Sequence, residues 1–265
     1  RLEGLGLKTT EADKLITLVN KAGLKTIELN LLDDAFIGKI KNPDVIRELE
    51  LTMPIKEAGK IKGLDQWLRF NGPKAPKEIK EALVELREAR RLSNENPGSV
   101  IRVAKEMEAP QRPGNKGEVM QEFDIAINSS SGNTERSIEI KSVEKPVTDA
   151  PDMSPGVKHA SEKAASRIAE RAPIKGNLDA IIDIELGVGT TKKSGGNLTI
   201  SPNGDVTLTT GSGKAIPKGN IFNDFAKQIP KIKDSALLSR VTVVDRAGTV
   251  LAVYENSATG WTRIK

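Results

Sequence analysis

Residues 123–143 read Phe123-Asp-Ile-Ala-Ile-Asn128-Ser-Ser-Ser-Gly132-Asn-Thr-Glu-Arg-Ser137-Ile-Glu-Ile-Lys141-Ser-Val143. Two runs of period-two alternation flank a turn rich in Ser, Gly and Asn, which is the pattern of a β-hairpin. On the first strand Phe123, Ile125 and Ile127 share one face, and Asp124 stands on the other beside the small Ala126. On the second strand Ile138 and Ile140 share one face, and Glu139 and Lys141 share the other. If the hairpin closes with Asn128 opposite Glu135, Asp124 lies directly across from Glu139. Side chains paired in that way have Cβ atoms roughly 4.5–5.5 Å apart.

Two carboxylates that close repel each other unless a divalent cation lies between them. Asp124 and Glu139, with the backbone carbonyl of Ile140, are therefore the expected oxygen ligands of Mg²⁺ or Mn²⁺. Such an ion grips a phosphate oxygen and lowers the pKa of an attacking water. Lys141 would orient that water or stabilise charge on phosphorus. The plainer alternative is an exposed strand face with an ordinary Glu139–Lys141 ion pair.

Composition narrows the chemistry further. The chain has no cysteine and a single histidine, His159, which excludes disulfides, thiolate zinc sites and His-pair zinc motifs. A Ser–His–Asp hydrolase would depend on His159, and no G-x-S-x-G elbow accompanies it. Carboxylates and lysines are left to do the work. The net charge of +5 suits a polyanionic partner, and the few aromatic residues argue against base stacking as the main binding mode. No apolar run is long enough for a membrane span. The chain opens on Arg1-Leu2 and polar sequence without a secretory leader, and is expected to be a piece of a longer protein.

Upstream of the hairpin, residues 1–72 read as a small helical domain. One helix follows Thr10 through Leu15, Leu18 and Val19 to Gly23, and a second covers Leu29 to Ile40. A third starts at Asn42-Pro43, and a short fourth carries Leu64, Trp67, Leu68 and Phe70. No strand pattern interrupts them. Residues 73–76 are a Pro-rich linker, and residues 77–265 form the second domain. That domain opens with a helix from Lys77 to Leu92, whose apolar stripe is Ile79, Leu83, Leu86 and Ala89 or Arg90. A strand at 100–104 precedes the hairpin. Ser154-Pro155 starts a helix that runs to about Arg171, and Asp179 to Leu186 is an apolar strand. Further hairpins are expected around Ser201–Asp205 and Asp245–Gly248, with a helix from Asn220 to Gln228. The fold class is α+β, with a mixed central sheet flanked by helices.

Phe123–Ile127 and Ser137–Lys141, within this helix–strand–hairpin–helix–strand order, resemble the PD-(D/E)XK nucleases, the restriction-endonuclease-like superfamily. The resemblance covers roughly residues 77–186 and departs at Phe123, where the name-giving motif has proline. It implies a restriction-endonuclease-like core and a metal-dependent endonuclease activity. Asp124 would be the hairpin acid, Glu139 the (D/E) and Lys141 the lysine. Members often add an acid from the preceding helix; Glu81, Glu85, Glu88 and the later Glu118 are candidates, and Glu88 is preferred.

On the helix after the lysine strand, His159, Lys163 and Arg167 form one stripe at i, i+4 and i+8. They are expected either to meet a phosphate backbone or to line a solvated face. Asp183 and Glu185 share a strand face and read as its solvated side, with a second acidic site as the alternative, and residues 187–195 read as a flexible connection. In layout the chain also resembles the C-terminal toxin region of a bacterial polymorphic toxin of the Rhs or contact-dependent inhibition kind. That likeness implies delivery as part of a larger secreted or surface protein, action in the cytoplasm of a target bacterium, and a cognate immunity protein. DNA is the expected substrate. A tRNA- or RNA-cleaving toxin on the same fold and a non-enzymatic binding domain are the alternatives.

Overall fold

The computed structural model describes residues 9–23, 43–71, 76–103, 106–108, 119–121, 123–143, 153–169, 176–184, 189–190 and 196–265. The chain is α+β with mixed sheet, and it divides into two compact units, Arg1–Glu135 and Arg136–Lys265. The second helix expected from the sequence, at 29–40, lies outside the described residues.

In the first unit, helices Thr9–Ala22 (α1), Pro43–Glu57 (α2), Leu64–Asn71 (α3) and Pro76–Glu95 (α4) accompany strands Ile61–Lys62 (β1), Val100–Val103 (β2), Glu106–Glu108 (β3), Val119–Gln121 (β4) and Ile125–Asn128 (β5). β2 pairs in parallel with β1 and antiparallel with β5, and β3 and β4 form a separate antiparallel pair. The strand β1 corrects the reading of residues 1–72 as helical throughout. It is only two residues long, with Ile61 buried and Lys62 exposed, so no periodicity could announce it; pairing with β2 makes it a strand. The compact units part at Glu135/Arg136, and the residues on both sides of the Pro-rich stretch 73–76 belong to the first unit.

Gly63 explains how α3 starts so close to β2. A Cβ there would lie 2.2 Å from the carbonyl oxygen of Val103, and its φ is +84°. Leu49, Leu64, Leu68, Leu86, Ile101 and Ile125 lie in the core of this unit, each essentially without exposure. α4 is buried along Ala82–Leu86 and is more enclosed than a one-sided amphipathic stripe would require.

The strand Thr134–Val143 (β6) carries the chain across the division between units. In the second unit it pairs in parallel with Asn177–Ile184 (β7), which pairs in parallel with Arg240–Asp245 (β12). Val250–Ser257 (β13) and Gly260–Arg263 (β14) continue as an antiparallel meander. Helix Ser154–Ala169 (α5) makes the crossover from β6 to β7. Gly189–Thr190 (β8), Asn197–Ile200 (β9), Asp205–Thr209 (β10) and Ala215–Asn220 (β11) form a small antiparallel sheet, so residues 189–190 are strand within the expected connection. Helix Ile221–Gln228 (α6) follows. Asn220 caps it, its side chain accepting from the backbone N–H groups of Phe222 and Asn223. Phe222 and Phe225 of α6 are buried near Tyr254; the Phe225 and Tyr254 rings meet edge to face at 5.4 Å, and the Tyr254 hydroxyl donates to the Phe222 carbonyl at 2.7 Å.

Four hairpin turns are built alike. At Ser129–Asn133, Ser201–Asp205, Thr210–Lys214 and Asp245–Thr249, the N–H of the first residue donates to the carbonyl of the fifth, and the N–H of the fourth donates back to the first. The fourth residue is always a glycine at positive φ: Gly132, Gly204, Gly213 and Gly248. This is a three-residue loop closed by a glycine bulge. Among the described residues no helix is long and apolar enough to cross a membrane.

Candidate active site

In the second unit, β6 presents Glu139 and Lys141 on one face, in register with Ala180 and Ile182 of β7. Parallel partners at the same level project to the same side, so these four residues underlie one surface. α5 crosses it with Gly156 at the tightest point. A Cβ on Gly156 would lie 2.8 Å from Ile182 Cδ1 and 3.5 Å from the Cβ of Lys141. The buried face of α5 is Val157, Ala160 and Ala164.

Two polar side chains of α5 turn toward Glu139. Lys163 Nζ lies 2.5 Å from Oε2, and His159 Nε2 lies 3.7 Å from Oε1. Lys141 Nζ approaches Oε1 at 3.6 Å. Only the Lys163 contact is a hydrogen bond; the other two are ion-pair distances. Glu139 is 2% exposed, whereas the His159 side chain is 54% exposed. A carboxylate thus lies at the bottom, and its cationic partners lead outward. Two lysines and a histidine converge on one buried carboxylate.

Of the stripe read from the sequence, Lys163 is half-buried and bonded to Glu139, whereas His159 stays exposed to solvent with its ring 3.7 Å from the same carboxylate. Arg167 lies on the same helix, and its side chain is outside the described residues. Lys163 as a partner of Glu139 could have been anticipated, because the crossover helix must pack on the strand that precedes it.

Asp124 belongs to the first unit. It occupies a bend just before β5 rather than a strand position, and it is 8% exposed. The hairpin register also differs from expectation. Ser129 pairs with Asn133, and Thr134 Oγ1 donates to Asn128 Oδ1 at 3.1 Å, so Asn128 faces Thr134 and not Glu135. The bulge at Gly132 absorbs the extra residue. The direct opposition of Asp124 and Glu139 was built on the other register and loses that basis.

Glu88 is fully buried in α4 and accepts from Arg91 through Nε at 2.9 Å and Nη2 at 2.6 Å. Glu85 is buried as well. Neither is the solvent-facing helix glutamate that a charged, amphipathic sequence suggests, because α4 is enclosed on more than one side. Glu118 and the side chain of Glu81 lie outside the described residues.

On the opposite face of β6, Ser142 is in register with Asp183. Ser142 Oγ donates to Asp183 Oδ2 at 2.9 Å, and Arg246 from the β12–β13 turn reaches both residues. Asp183 is fully buried, which corrects its reading as part of a solvated face. Glu185 lies outside the described residues. Arg246 and Ser142 had no signal in the sequence; their meeting depends on the parallel order β6, β7, β12.

Among the described residues no group of three or more His, Asp or Glu side chains is arranged to hold a metal ion. No protein-family model matches the chain, and neither the curated proteins nor the solved structures contain a significant match.

Proposed function

We propose that this chain is a metal-dependent phosphodiesterase, an endonuclease of the PD-(D/E)XK type acting on DNA. The observation that supports it best is the buried Glu139 with Lys141 two residues on, on one strand face, met by Lys163 and His159 from the helix that follows. A carboxylate and lysines together can hold a cation and stabilise phosphoryl charge, which is how the resemblance to PD-(D/E)XK nucleases assigns Glu139 and Lys141. The glycine at 156 brings the helix close enough for this convergence.

In hydrolysis a water oxygen bonds to phosphorus, the bond to the leaving alcohol oxygen breaks, and negative charge grows on the phosphoryl oxygens. Lys141, at the edge of the site, stabilises that charge or holds the water. His159, more exposed than Lys141 and Lys163, would meet the phosphate before them. Lys163 keeps the buried Glu139 carboxylate compensated between turnovers.

The residues fit a hard divalent cation in donor chemistry, since Glu139 supplies carboxylate oxygens and the chain has no cysteine thiolate. Glu139 would hold Mg²⁺ or Mn²⁺, with Asp124 as the further ligand the resemblance implies. Water and substrate phosphate would complete the shell, which is usual for Mg²⁺. When bound, the ion supplies charge neutralisation and a more acidic water. An antibacterial toxin region held in check by an immunity protein is the setting that the layout of the chain supports.

The test is direct. The purified chain is incubated with supercoiled DNA and with total tRNA, in Mg²⁺ and in EDTA, beside Lys141→Ala. Mg²⁺-dependent nicking of DNA that the variant lacks is the expected result. Cleavage of tRNA alone would move the substrate to RNA, and full activity in EDTA or in the variant would remove the mechanism.

A further inference from the structure

The chain's positive charge is not evenly distributed. Residues 211–265 hold nine of the 41 Lys and Arg but only four of the 36 Asp and Glu, an excess of five that equals the net charge of the whole chain. The remaining residues are balanced. Three of these lysines follow one another along one exposed stretch of the second unit. α6 continues into a 3₁₀ turn, Ile229–Lys231, and Lys227, Lys231 and Lys233 are all exposed along this stretch. β14 packs beside it: Arg263 donates to Asn223 Oδ1 at 2.7 Å, and its guanidinium stands 5.4 Å from the centre of the Phe222 ring. The Lys227–Asp224 pair is long, at 3.9 Å, and exposed on both sides, so it neutralises little.

We infer that Lys227, Lys231 and Lys233, with Arg263 beside them, form a docking surface for the phosphate backbone of duplex DNA, separate from the Glu139 site and resting on the nuclease reading of that site. Two features favour a duplex over other polyanions. Single strands are held largely by stacking on aromatic rings, but Phe222, Phe225 and Tyr254 are buried here and Trp261 is half-buried. Protein partners favour surfaces rich in aromatic residues and poor in lysine, the opposite of this one. Lysines on flexible stems suit repeated phosphates that carry no sequence information.

The position of the surface gives it a use. Ser154 Oγ, in the first turn of α5, donates to Gln228 Oε1 at 3.2 Å, so the end of α6 abuts the start of the helix that carries His159. Five residues of helix from Ser154 to His159 span about 7.5 Å. A duplex held by the lysines would run along α5 toward Glu139 and Lys141.

The test is fluorescence anisotropy with a labelled DNA duplex in EDTA, between about 50 and 200 mM salt. The proteins compared are the wild-type chain, the triple variant Lys227→Gln/Lys231→Gln/Lys233→Gln, the matching triple arginine variant, and Lys141→Ala. The glutamine variant should bind roughly tenfold or more weakly at the lower salt, and its log–log salt slope should be shallower by about 2–3. The arginine variant should restore both, and Lys141→Ala, which removes a single phosphate contact at the other site, should flatten the slope by about 1 at most. An unchanged slope in the glutamine variant, tighter wild-type binding to single strands than to duplex, or lysine-dependent binding of polyglutamate without that of duplex would overturn the inference. If the wild type nicks DNA but the glutamine variant binds normally, the surface fails and the nuclease reading stands. If duplex binding depends on the lysines but no DNA or RNA is cut, the reverse holds.

Discussion

Two glutamates, one in each compact unit, pose the same physical problem and receive different answers. Glu48 of α2 and Glu139 of β6 are both nearly withdrawn from water, and a charge withdrawn in that way must be compensated. Around Glu48 the partners are arginines of α4: Arg87 Nε lies 2.9 Å from Oε1 and Arg90 Nη1 2.6 Å from Oε2, with Arg90 also donating to Thr52. Around Glu139 the partners are two lysines and an exposed histidine, only one of them at hydrogen-bond distance. Guanidinium forks fix geometry, whereas ammonium groups on flexible stems can be reassigned to another anion. The first cluster fastens two helices. The second keeps charges that a phosphate could claim.

The comparison breaks if the two clusters respond alike to substitution. The largest expected effect is on catalysis: Lys141→Ala should lower kcat by about 10²–10³-fold while leaving the melting temperature nearly unchanged, measured by nicking kinetics and thermal unfolding. Glu48→Ala should do the opposite. It removes the carboxylate that Arg87 and Arg90 share and should cost about 3 kcal/mol in denaturant unfolding, the low end for a broken buried pair because both arginines are partly exposed. Cleavage rates corrected for the folded fraction should stay at the wild-type value. An Arg90→Lys change tests the fork itself. Losing the bond to Thr52 should cost about 1 kcal/mol, and a neutral result would mean that geometry matters no more at Glu48 than at Glu139.

A third carboxylate sharpens the contrast through pH. Burial pushes the Asp179 carboxyl above its usual range, against the pull of Arg136 and Arg240. A carboxyl raised in the folded state stabilises the fold when protonated. That contribution is complete below the ordinary aspartate range and is lost as pH rises through the raised value. Asp179→Asn should therefore gain stability relative to wild type between acidic and neutral pH, followed by urea unfolding at several pH values. A difference that shrinks with rising pH would show that the arginines, and not burial, govern this group.

Much of the fold was readable in the residues. Ser154-Pro155 marked the start of α5, the alternation at 137–143 marked β6, and the turns at Ser201 and Asp245 marked hairpins. Each is a local preference that the tertiary structure retains. What escaped depends on partners distant in sequence. Ile61–Lys62 is a strand only because β2 is there, and Glu85, Glu88 and Asp183 look like surface charges until their neighbours are in place. The hairpin register was a different kind of miss. Ser129-Ser-Ser-Gly132 has the same form as Ser201-Pro-Asn-Gly204 and Asp245-Arg-Ala-Gly248, and a glycine in the fourth place signals the bulge that shifts pairing by one residue. Within the candidate site, Glu139, Lys141, His159 and Lys163 were all singled out from sequence; the contact of Lys163 with Glu139 followed from the crossover, and the approach of His159 to the same carboxylate did not.

Gly156 has no functional group of its own, yet it governs the distance between two layers that do. With hydrogen in place of a methyl group, the helix rests directly on the ribbon, and the cations above and below meet the same carboxylate. Even an alanine there would act as a shim. It would loosen the site from behind without altering any residue that touches a substrate.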